Sequence, residues 1–355
     1  MELRYYIIFT VAFLALQLFL YSFGRTLGWL FNLQPKTRKW ITGLSILGVD
    51  ALFILTLTPT ITAFRSVALI LALLLFAFML SILTACIIKL SKGKASKCLR
   101  ATYPFAFAGI IGLSVYNAYT PVVIHQTLTL DKPLKQPLRI GLASDTHLGK
   151  LFGDKQLDEL AEIFNREKVD LILLPGDIMD DNVEAYVAEN MRPHLAKLQA
   201  PLGVYATLGN HDFFGEQQQI AQEIQKAGIQ VLWDQAVEIN GQFTIIGRND
   251  KTFRDRVPTE KLLVEVNTEL PVFLLDHQPD EIEKHAQLPI DLQVSGHTHK
   301  GQIFPANLMT KLIYPLDYGY KKIGNGYFVV TSGYGFWGIP MRLGSQSEVW
   351  ILDVK

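Results

Sequence analysis

The first 120 residues of the chain are far more apolar than the remainder, and this feature restricts the folds it can adopt. Hydrophobic residues make up 49% of the sequence and charged residues only 19%. A bilayer core requires about 20 apolar residues per helix, with about 17 as the lower limit. We therefore predict an all-α transmembrane region of about four helices in residues 1–120. The predicted spans are Tyr5–Phe23, Ile41–Leu57, Val67–Ile88 and Tyr103–Tyr119.

Two features of this region allow more than one interpretation. Residues 1–23 could be a secretory signal peptide, but the apolar run is long, only Arg4 precedes it and further apolar runs follow at once. Asp50 lies inside the second predicted span. A carboxylate within a membrane is a candidate functional group, while a helix-packing role or an overextended span explains it equally well.

The charges between the spans predict the orientation of the chain. Nine basic residues fall in the loops after the first and third spans, whereas the opposite side carries only Arg4 and Arg65. Positive loops favour the cytoplasmic side. We therefore expect both basic loops inside the cell, with the N-terminus and everything after Tyr119 outside the cytoplasm. The nine residues are Arg25, Lys36, Arg38, Lys39, Lys89, Lys92, Lys94, Lys97 and Arg100.

Overall charge and cysteine content exclude some classes of function. The chain has 33 basic and 33 acidic residues, so no global positive charge indicates a nucleic-acid partner. Its two cysteines, Cys86 and Cys98, both precede residue 120. The soluble part therefore has neither a disulfide framework nor a cysteine metal site.

After a linker with three prolines at 121–137, residues 138–355 alternate between short apolar runs and amphipathic stretches. Such alternation is typical of a layered α/β domain. The predicted strands are Leu138–Ala143, Asp170–Leu174, Gly203–Leu208, Phe243–Gly247, Pro271–Leu275, Asp291–Val294, Tyr327–Thr331 and Val349–Asp353. The predicted helices are Lys155–Glu167, Val183–Gln199, Glu216–Ala227 and Thr259–Asn267.

Five of these strands run directly into side chains that bind metals. In open α/β sheets, ligands bind beyond the carboxyl ends of the strands, so we expect these side chains to meet at one rim. Five of the eight histidines lie in these motifs, while His125, His194 and His285 match none and are expected at the surface. The motifs are Ser144-Asp145-Thr146-His147, Gly176-Asp177, Gly209-Asn210-His211-Asp212, Asp276-His277 and Gly296-His297-Thr298-His299.

The residue types in these motifs suit a pair of metal ions. Carboxylate and imidazole ligands favour manganese, iron or zinc, and no thiolate is present. Two ions about 3.5–4 Å apart can clamp a phosphate and generate a hydroxide from bound water. Each motif alone could be a turn or a helix cap, but their joint presence favours metal binding.

The ordered series D-x-H, G-D, G-N-H-D, a lone His and G-H-x-H over residues 145–299 resembles the calcineurin-like metallophosphoesterase family. The resemblance covers roughly residues 138–353 and is greatest with the membrane-associated bacterial branch. It implies a four-layer α/β/β/α sandwich in residues 138–355, preceded by the transmembrane region. Together with the orientation predicted from the charges, it leads us to expect an integral protein of the inner membrane with its catalytic domain outside the cytoplasm.

The resemblance further implies a role for each motif residue. Seven residues would bind two divalent ions, for which manganese is the first choice and iron, zinc or magnesium are alternatives. His211 would be the catalytic residue beside the substrate phosphate, oriented by Asp212. The first ion would be bound by Asp145, His147 and His299, the second by Asn210, His277 and His297, with Asp177 bridging them.

Several residues near the motifs have two open interpretations. Lys300 replaces the glycine that usually follows G-H-x-H, and it could contact an anionic substrate or point to solvent. Arg342 could bind a phosphate oxygen, since guanidinium groups match that geometry. The apolar stretches Ile303–Tyr314 and Phe336–Pro340 could form a membrane-facing lip or belong to the core.

The sequence thus predicts a metal-dependent hydrolase of a phosphate ester or pyrophosphate, using a hydroxide activated by a binuclear centre. Its partners would be the bilayer and a phosphorylated small-molecule, envelope or lipid-linked substrate. The alternatives are an inactive phosphoesterase-fold scaffold and a transporter or sensor coupled to the transmembrane helices.

A topology reporter fused after Lys355 tests the predicted orientation. Because the two basic loops are expected in the cytoplasm, the reporter should show the extracytoplasmic state. A cytoplasmic signal would mean that one of the four predicted spans does not cross the membrane.

Overall fold

A computed structural model describes residues 3–56 and 64–355 of the chain. By their internal contacts these residues divide into two compact units, Met1–Ser114 and Val115–Lys355. The first unit is helical, and the second contains all twelve strands that the described residues form. The boundary lies within the fourth helix, whose last five residues belong to the second unit.

Four helices precede the strands, as the apolar runs predict. They are α1 Leu3–Leu30, α2 Pro35–Thr56, α3 Phe64–Leu90 and α4 Ser96–Tyr119. Among the described residues, two stretches are long and apolar enough to cross a membrane, Arg65–Leu90 and Ser96–Tyr119. The predicted span Ile41–Leu57 ends outside the described residues. The structure thus contains the predicted helices, but the count of four spans is not confirmed.

The carboxylate of Asp50 has a partner on a neighbouring helix. Gln17 of α1 donates a hydrogen bond from Nε2 to Asp50 Oδ1 of α2, at 2.8 Å. A carboxylate in apolar surroundings is costly unless it is hydrogen-bonded. Of the three interpretations of Asp50, the contact favours a role in packing α1 against α2.

The second unit is built on two six-stranded sheets. The first has the order β1-β12-β2-β3-β4-β5 and the second the order β10-β11-β9-β8-β7-β6. Most neighbouring strands are parallel; β12 is antiparallel to β2, β6 to β7 and β10 to β11. The strands are β1 Val122–Leu128, β2 Leu138–Leu142, β3 Leu171–Pro175, β4 Val204–Thr207, β5 Gln230–Val231, β6 Gln235–Ile239, β7 Phe243–Arg248, β8 Val272–Asp276, β9 Leu292–Ser295, β10 Gly319–Ile323, β11 Gly326–Val330 and β12 Glu348–Val354.

Helices cover the outer faces of both sheets. The apolar sides of α5 and α8 pack on the first sheet, and α9 and α10 lie on the second. This arrangement confirms the predicted α/β sandwich with its layer order α/β/β/α. The helices of this unit are α5 Asp154–Glu167, α6 Glu184–Ala188, α7 Arg192–Leu195, α8 Gln217–Lys226, α9 Thr259–Leu262, α10 Ile282–His285 and α11 Ala306–Ile313.

The central strands are apolar on both faces because each face is covered. Successive side chains of a strand point to opposite faces. In β3, Leu171 and Leu173 join the core between the two sheets, while Ile172 and Leu174 pack under the helices. Buried parallel strands therefore appear in the sequence as continuous apolar runs rather than alternating ones.

All eight predicted strands are present, with ends that differ by at most one residue. Part of the segment interpreted as a linker forms β1, which pairs in parallel with β12 along its whole length. Its proline-flanked sequence exposes several side chains, as an edge strand does, and so lacks the apolar run of a central strand. The predicted helix Val183–Gln199 is interrupted and forms α6 and α7 instead.

Phe273 of β8 tests the importance of the core between the sheets. Its ring is fully buried and stacks on Phe243 with ring centroids 4.9 Å apart. Phe273→Ala should lower the free energy of unfolding by about 3–5 kcal/mol, since it leaves a cavity. The apparent melting temperature of the detergent-solubilised protein should fall by about 2–4 °C per kcal/mol.

Val264→Ala is the matched control for Phe273→Ala, because the Val264 side chain is 79% exposed. We expect this variant to melt within about 1–2 °C of the unmodified protein. Equal melting temperatures for the two variants would show that burial of Phe273 in this core adds little stability.

Candidate metal centre

Five strand ends from both sheets deliver the predicted ligands to one place. Strands β2, β3 and β4 of the first sheet lead into the motifs at residues 144–147, 176–177 and 209–212. Strands β8 and β9 of the second sheet lead into His277 and the motif at 296–299. The rim predicted from the sequence therefore lies where the carboxyl ends of two packed sheets meet.

The first group of donors consists of Asp145, His147 and His299, whose donor atoms all lie within 4.8 Å of one another. The Nε2 atoms of the two histidines are 3.2 Å apart, and His299 Nε2 is 3.4 Å from Asp145 Oδ1. All three residues are buried. Ligands that share one ion at about 2.0–2.2 Å are separated by similar distances, so these atoms suit a common cation.

The second group consists of Asp177, His277 and His297, again with donor atoms within 4.8 Å. His297 Nδ1 is 2.7 Å from Asn210 Oδ1, so the amide oxygen of Asn210 is a fourth donor atom beside this group. Asp177 Oδ2 lies 3.1 Å from His277 Nε2 and 3.8 Å from His147 Nε2. This carboxylate therefore contacts both groups, in the position predicted for a bridging ligand.

The backbone at these residues adopts a conformation that side chains disfavour. Asp145, His147, Asp177, His297 and His299 have φ values of 53°, 44°, 52°, 69° and 47°. Non-glycine residues in this left-handed region cost about 1–3 kcal/mol each and cluster at functional sites. These five positions of unfavourable backbone conformation are all donor residues of the two groups.

Glycines before the motifs allow this close approach. A Cβ atom at Gly296 would overlap the Ser144 hydroxyl and the Asp145 carboxylate, and one at Gly209 would overlap the Asp177 carboxylate. Both glycines thus leave room for donor residues of another strand, which explains their place beside the histidine and asparagine ligands.

The hydrogen bonds of His277 show that the donors fit a cation. Its Nδ1 lies 2.8 Å from the Pro175 carbonyl, which can only accept, so Nδ1 carries a proton. Its Nε2 is fully buried and makes no hydrogen bond, although the Asp177 carboxylate is near. A divalent ion at this point would bind Nε2 in place of its proton and would neutralise the carboxylate, so that both buried groups would be satisfied.

Burial and the nearby charges together decide which of the four imidazoles are neutral. Burial lowers the pKa of His147 to about 3 and that of His297 to about 4. Burial and the Arg342 guanidinium lower the pKa of His299 well below its ordinary value. Burial opposes protonation of His277 too, but the Asp177 and Asp145 carboxylates raise its pKa well above the usual range. Neutral imidazole is the form that binds metals.

His211 lies beside the two groups and is oriented by Asp181. Its Nδ1 is 2.5 Å from Asp181 Oδ1, and its ring centroid is 4.9 Å from that of His147. Burial alone would lower its pKa, whereas Asp181 and the neighbouring carboxylates raise it above the ordinary value. The proposed orienting role of Asp212 is wrong, because this carboxylate accepts backbone N–H bonds from Gly209, Ile178 and Met179.

Lys300 and Arg342 both have protein partners. Lys300 Nζ lies 3.9 Å from the ring centroid of Tyr318, a cation–π contact. Arg342 is completely buried and donates to the carbonyls of Gly333 and Gly335, while its Nη2 lies 3.1 Å from His299 Nδ1. In this structure Arg342 supports the ring of His299 from behind.

Two further observations correct or extend the sequence analysis. His285, expected at the surface, is fully buried and bonds to Gln293 Oε1 and Thr259 Oγ1 at 2.8 and 2.9 Å. Asp180 was not identified, yet its carboxylate lies within 4.8 Å of the donor atoms of His147 and His211. The sequence feature that could have identified Asp180 is the acidic pair at 180–181, three and four residues after Asp177.

Several known proteins are similar to this chain in sequence. A family model described as calcineurin-like phosphoesterase matches residues 138–301. A metallophosphoesterase of Aquifex aeolicus is 37% identical over 63% of this chain and 87% of its own length. A metallophosphoesterase of Helicobacter pylori is 31% identical over 84% of this chain and 81% of its own length.

A relative named as a transmembrane protein supports membrane association of this chain. A Danio rerio protein named transmembrane protein with metallophosphoesterase domain is 30% identical over 70% of this chain and 61% of its own length. Two helices of the described residues are long and apolar enough to span a bilayer. On its donor groups and these relatives, the chain is a metallophosphoesterase that belongs to the calcineurin-like phosphoesterase family.

Proposed function

We propose that the protein hydrolyses a phosphate ester or pyrophosphate at a binuclear metal centre. The observation that carries the proposal is the pair of buried donor groups that share Asp177. Each group alone could bind one cation, and the shared carboxylate would hold two ions close together. Two such ions can polarise a phosphoryl oxygen and lower the pKa of a water so that it attacks phosphorus.

The donor atoms support a specific distribution of ligands. Three residues, Asp145, His147 and His299, would hold one ion, and Asn210, His277 and His297 the other. Mixed carboxylate, amide and imidazole donors favour manganese, with iron, zinc or magnesium as alternatives. The carbonyl of Pro175 fixes the ring of His277, as second contacts commonly do for metal-binding histidines.

His211 would act on the substrate rather than on an ion. Its ring lies at the edge of the donor groups and is only partly buried, so a phosphate held there can reach it. With Nδ1 directed to Asp181, its Nε2 remains to donate a proton or a hydrogen bond to a phosphate oxygen. Asp181 would hold the ring in that orientation.

The membrane region supports a substrate in the cell envelope or linked to lipid, with the catalytic unit outside the cytoplasm. The candidate spans and the name of the Danio rerio relative support attachment to a bilayer. An inactive scaffold or a sensor coupled to the helices would not need the ligands. All seven predicted ligands nevertheless converge here, which favours hydrolysis.

Asp177→Asn tests the shared carboxylate. Loss of its charge should weaken metal binding by more than about 100-fold, because even indirect partners of ligands contribute about 10–100-fold. We expect less than one ion per chain in the purified variant, measured by plasma mass spectrometry. Hydrolysis of bis-nitrophenyl phosphate with added manganese should fall to background.

Asp131→Asn is the control for Asp177→Asn, since Asp131 forms an exposed pair with Lys322 at 2.7 Å. This variant should keep its metal content and activity. Full metal content and turnover in Asp177→Asn would rule out the binuclear centre.

His211→Gln separates substrate chemistry from metal binding. Removal of a positioned proton donor should lower kcat by about 10²–10⁴-fold. The metal content should not change, because His211 belongs to neither ion's proposed ligands. Steady-state kinetics and metal analysis of the same preparation measure both.

His194→Gln is the matched control for His211→Gln. His194 also bonds to a carboxylate, at 2.7 Å from Asp158, but lies at the surface. We expect its kcat to equal that of the unmodified protein. A His211→Gln variant with normal kcat would assign this residue a purely structural role.

A further inference from the structure

Helix α11 exposes an apolar face that the second unit does not cover. None of its residues is buried, and Leu308, Met309, Leu312 and Ile313 are 52%, 62%, 87% and 64% exposed. Residues 308, 309 and 312 share one helical face by their spacing. The helix is held from its other side, where the Thr310 hydroxyl donates to Asp317 Oδ2 at 2.8 Å. A large exposed apolar patch of this kind indicates an interaction site.

This helix adjoins the donor groups. It begins seven residues after His299, and Tyr314, directly after its last residue, lies with its ring centroid 6.0 Å from that of His297. Whatever covers α11 therefore lies at the mouth of the site.

Trp337 extends the apolar surface on the side of His211. Its side chain is 43% exposed, and its ring centroid is 5.8 Å from that of His211. Gln302 Nε2 donates to the Trp337 carbonyl at 3.0 Å, and the Phe304 amide donates to Leu343 O at 2.6 Å. The segment that leads into α11 is thus hydrogen-bonded to the loop that carries Trp337.

The same loop is attached to the end of a candidate membrane span. Residues 115–119 complete α4 and belong to the second unit. The Tyr119 ring contacts that of Phe336 with centroids 5.4 Å apart, and Asn117 Nδ2 donates to Arg342 O at 3.2 Å. If α4 crosses the bilayer, its end lies at the bilayer surface, and the loop at 336–342 and the adjoining α11 would then lie near lipid.

We propose that α11 and Trp337 dock on the surface of the bilayer that anchors the chain, with Leu308, Met309, Leu312 and Ile313 among the acyl chains. Apolar faces of interfacial helices lie about 5–10 Å into the headgroup boundary, where tryptophan is also favoured. Lys311, exposed on the same helix, and Lys150 beside exposed Leu151 suit the phosphates of anionic lipids.

The docked surface would present the metal site to phosphate groups at the membrane interface. The preferred substrate is then a phosphate ester or pyrophosphate carried by a lipid, whose tail stays in the bilayer. This second step rests on the proposed hydrolysis, whereas the docking itself does not.

Site-directed fluorescence on the full chain in lipid nanodiscs tests the docking. In a Cys86→Ser, Cys98→Ser background, Leu312→Cys carries a polarity-sensitive fluorophore, and Val264→Cys is the exposed control. The nanodiscs contain phosphatidylethanolamine and phosphatidylglycerol, with or without nitroxide-labelled lipid. We expect a blue-shifted emission and quenching by the nitroxide for residue 312 only.

Each other result of this experiment overturns the docking. If the nitroxide-labelled lipid quenches the label at residue 312 as weakly as the label at residue 264, then α11 lies in water. A blue shift without quenching by lipid would mean that a second copy of the chain covers the helix.

Leu312→Asp tests the presentation of substrate. A charge at this exposed position should lower hydrolysis of farnesyl pyrophosphate in nanodiscs by about tenfold, equivalent to about 1.4 kcal/mol of docking. Hydrolysis of soluble bis-nitrophenyl phosphate should not change. Unchanged turnover of the lipid substrate by this variant would overturn only the proposed presentation of lipid substrates. If the unmodified protein hydrolyses neither substrate, the proposed function is refuted, but the fluorescence result on docking still holds.

Discussion

Two fully buried carboxylates, Asp145 and Asp177, create the electrostatic problem that the site has to solve. Burial opposes the charge of both: it raises the pKa of Asp145 to about 6, whereas the nearby imidazoles hold the pKa of Asp177 below its usual range. Ionised carboxylates are retained in a protein interior only where positive charge neutralises them. The neutral imidazoles of His147 and His299 supply no positive charge. Protonated His277 supplies a single charge for two carboxylates, so divalent cations would be the fuller counter-charge.

The two-sheet architecture makes this arrangement available. A single parallel sheet would bring the ends of neighbouring strands together in one row. Here β2, β3 and β4 meet β8 and β9 across the core, so donors approach from two directions and can surround an ion. The core between the sheets, to which the second sheet contributes the stacked rings of Phe243 and Phe273, packs the two sets of strands together.

Most of the site could be predicted because its signal is local in sequence. An apolar run followed by Gly-Asp or Gly-His can be recognised in the sequence itself. The order in which the five motifs occur along the chain indicates that they belong to one site. Features that depend on distant contacts were missed. The strand β1 can be recognised only from its pairing with β12. His285 was expected at the surface because its side chain is polar, but hydrogen bonds to Gln293 and Thr259 allow it to be buried. The choice between Asp181 and Asp212 as partner of His211 likewise depends on the path of the loop after Asp177.

The position of β12 has a consequence for how the protein is made. This strand lies between β1 and β2, so the first sheet is divided until residues 348–354 have left the ribosome. The long delay before such non-local pairing exposes β1 and β2 during synthesis. The catalytic unit therefore completes its first sheet last, after all the preceding helices have been made. Removal of β12 would leave the edges of β1 and β2 unpaired and open to aggregation.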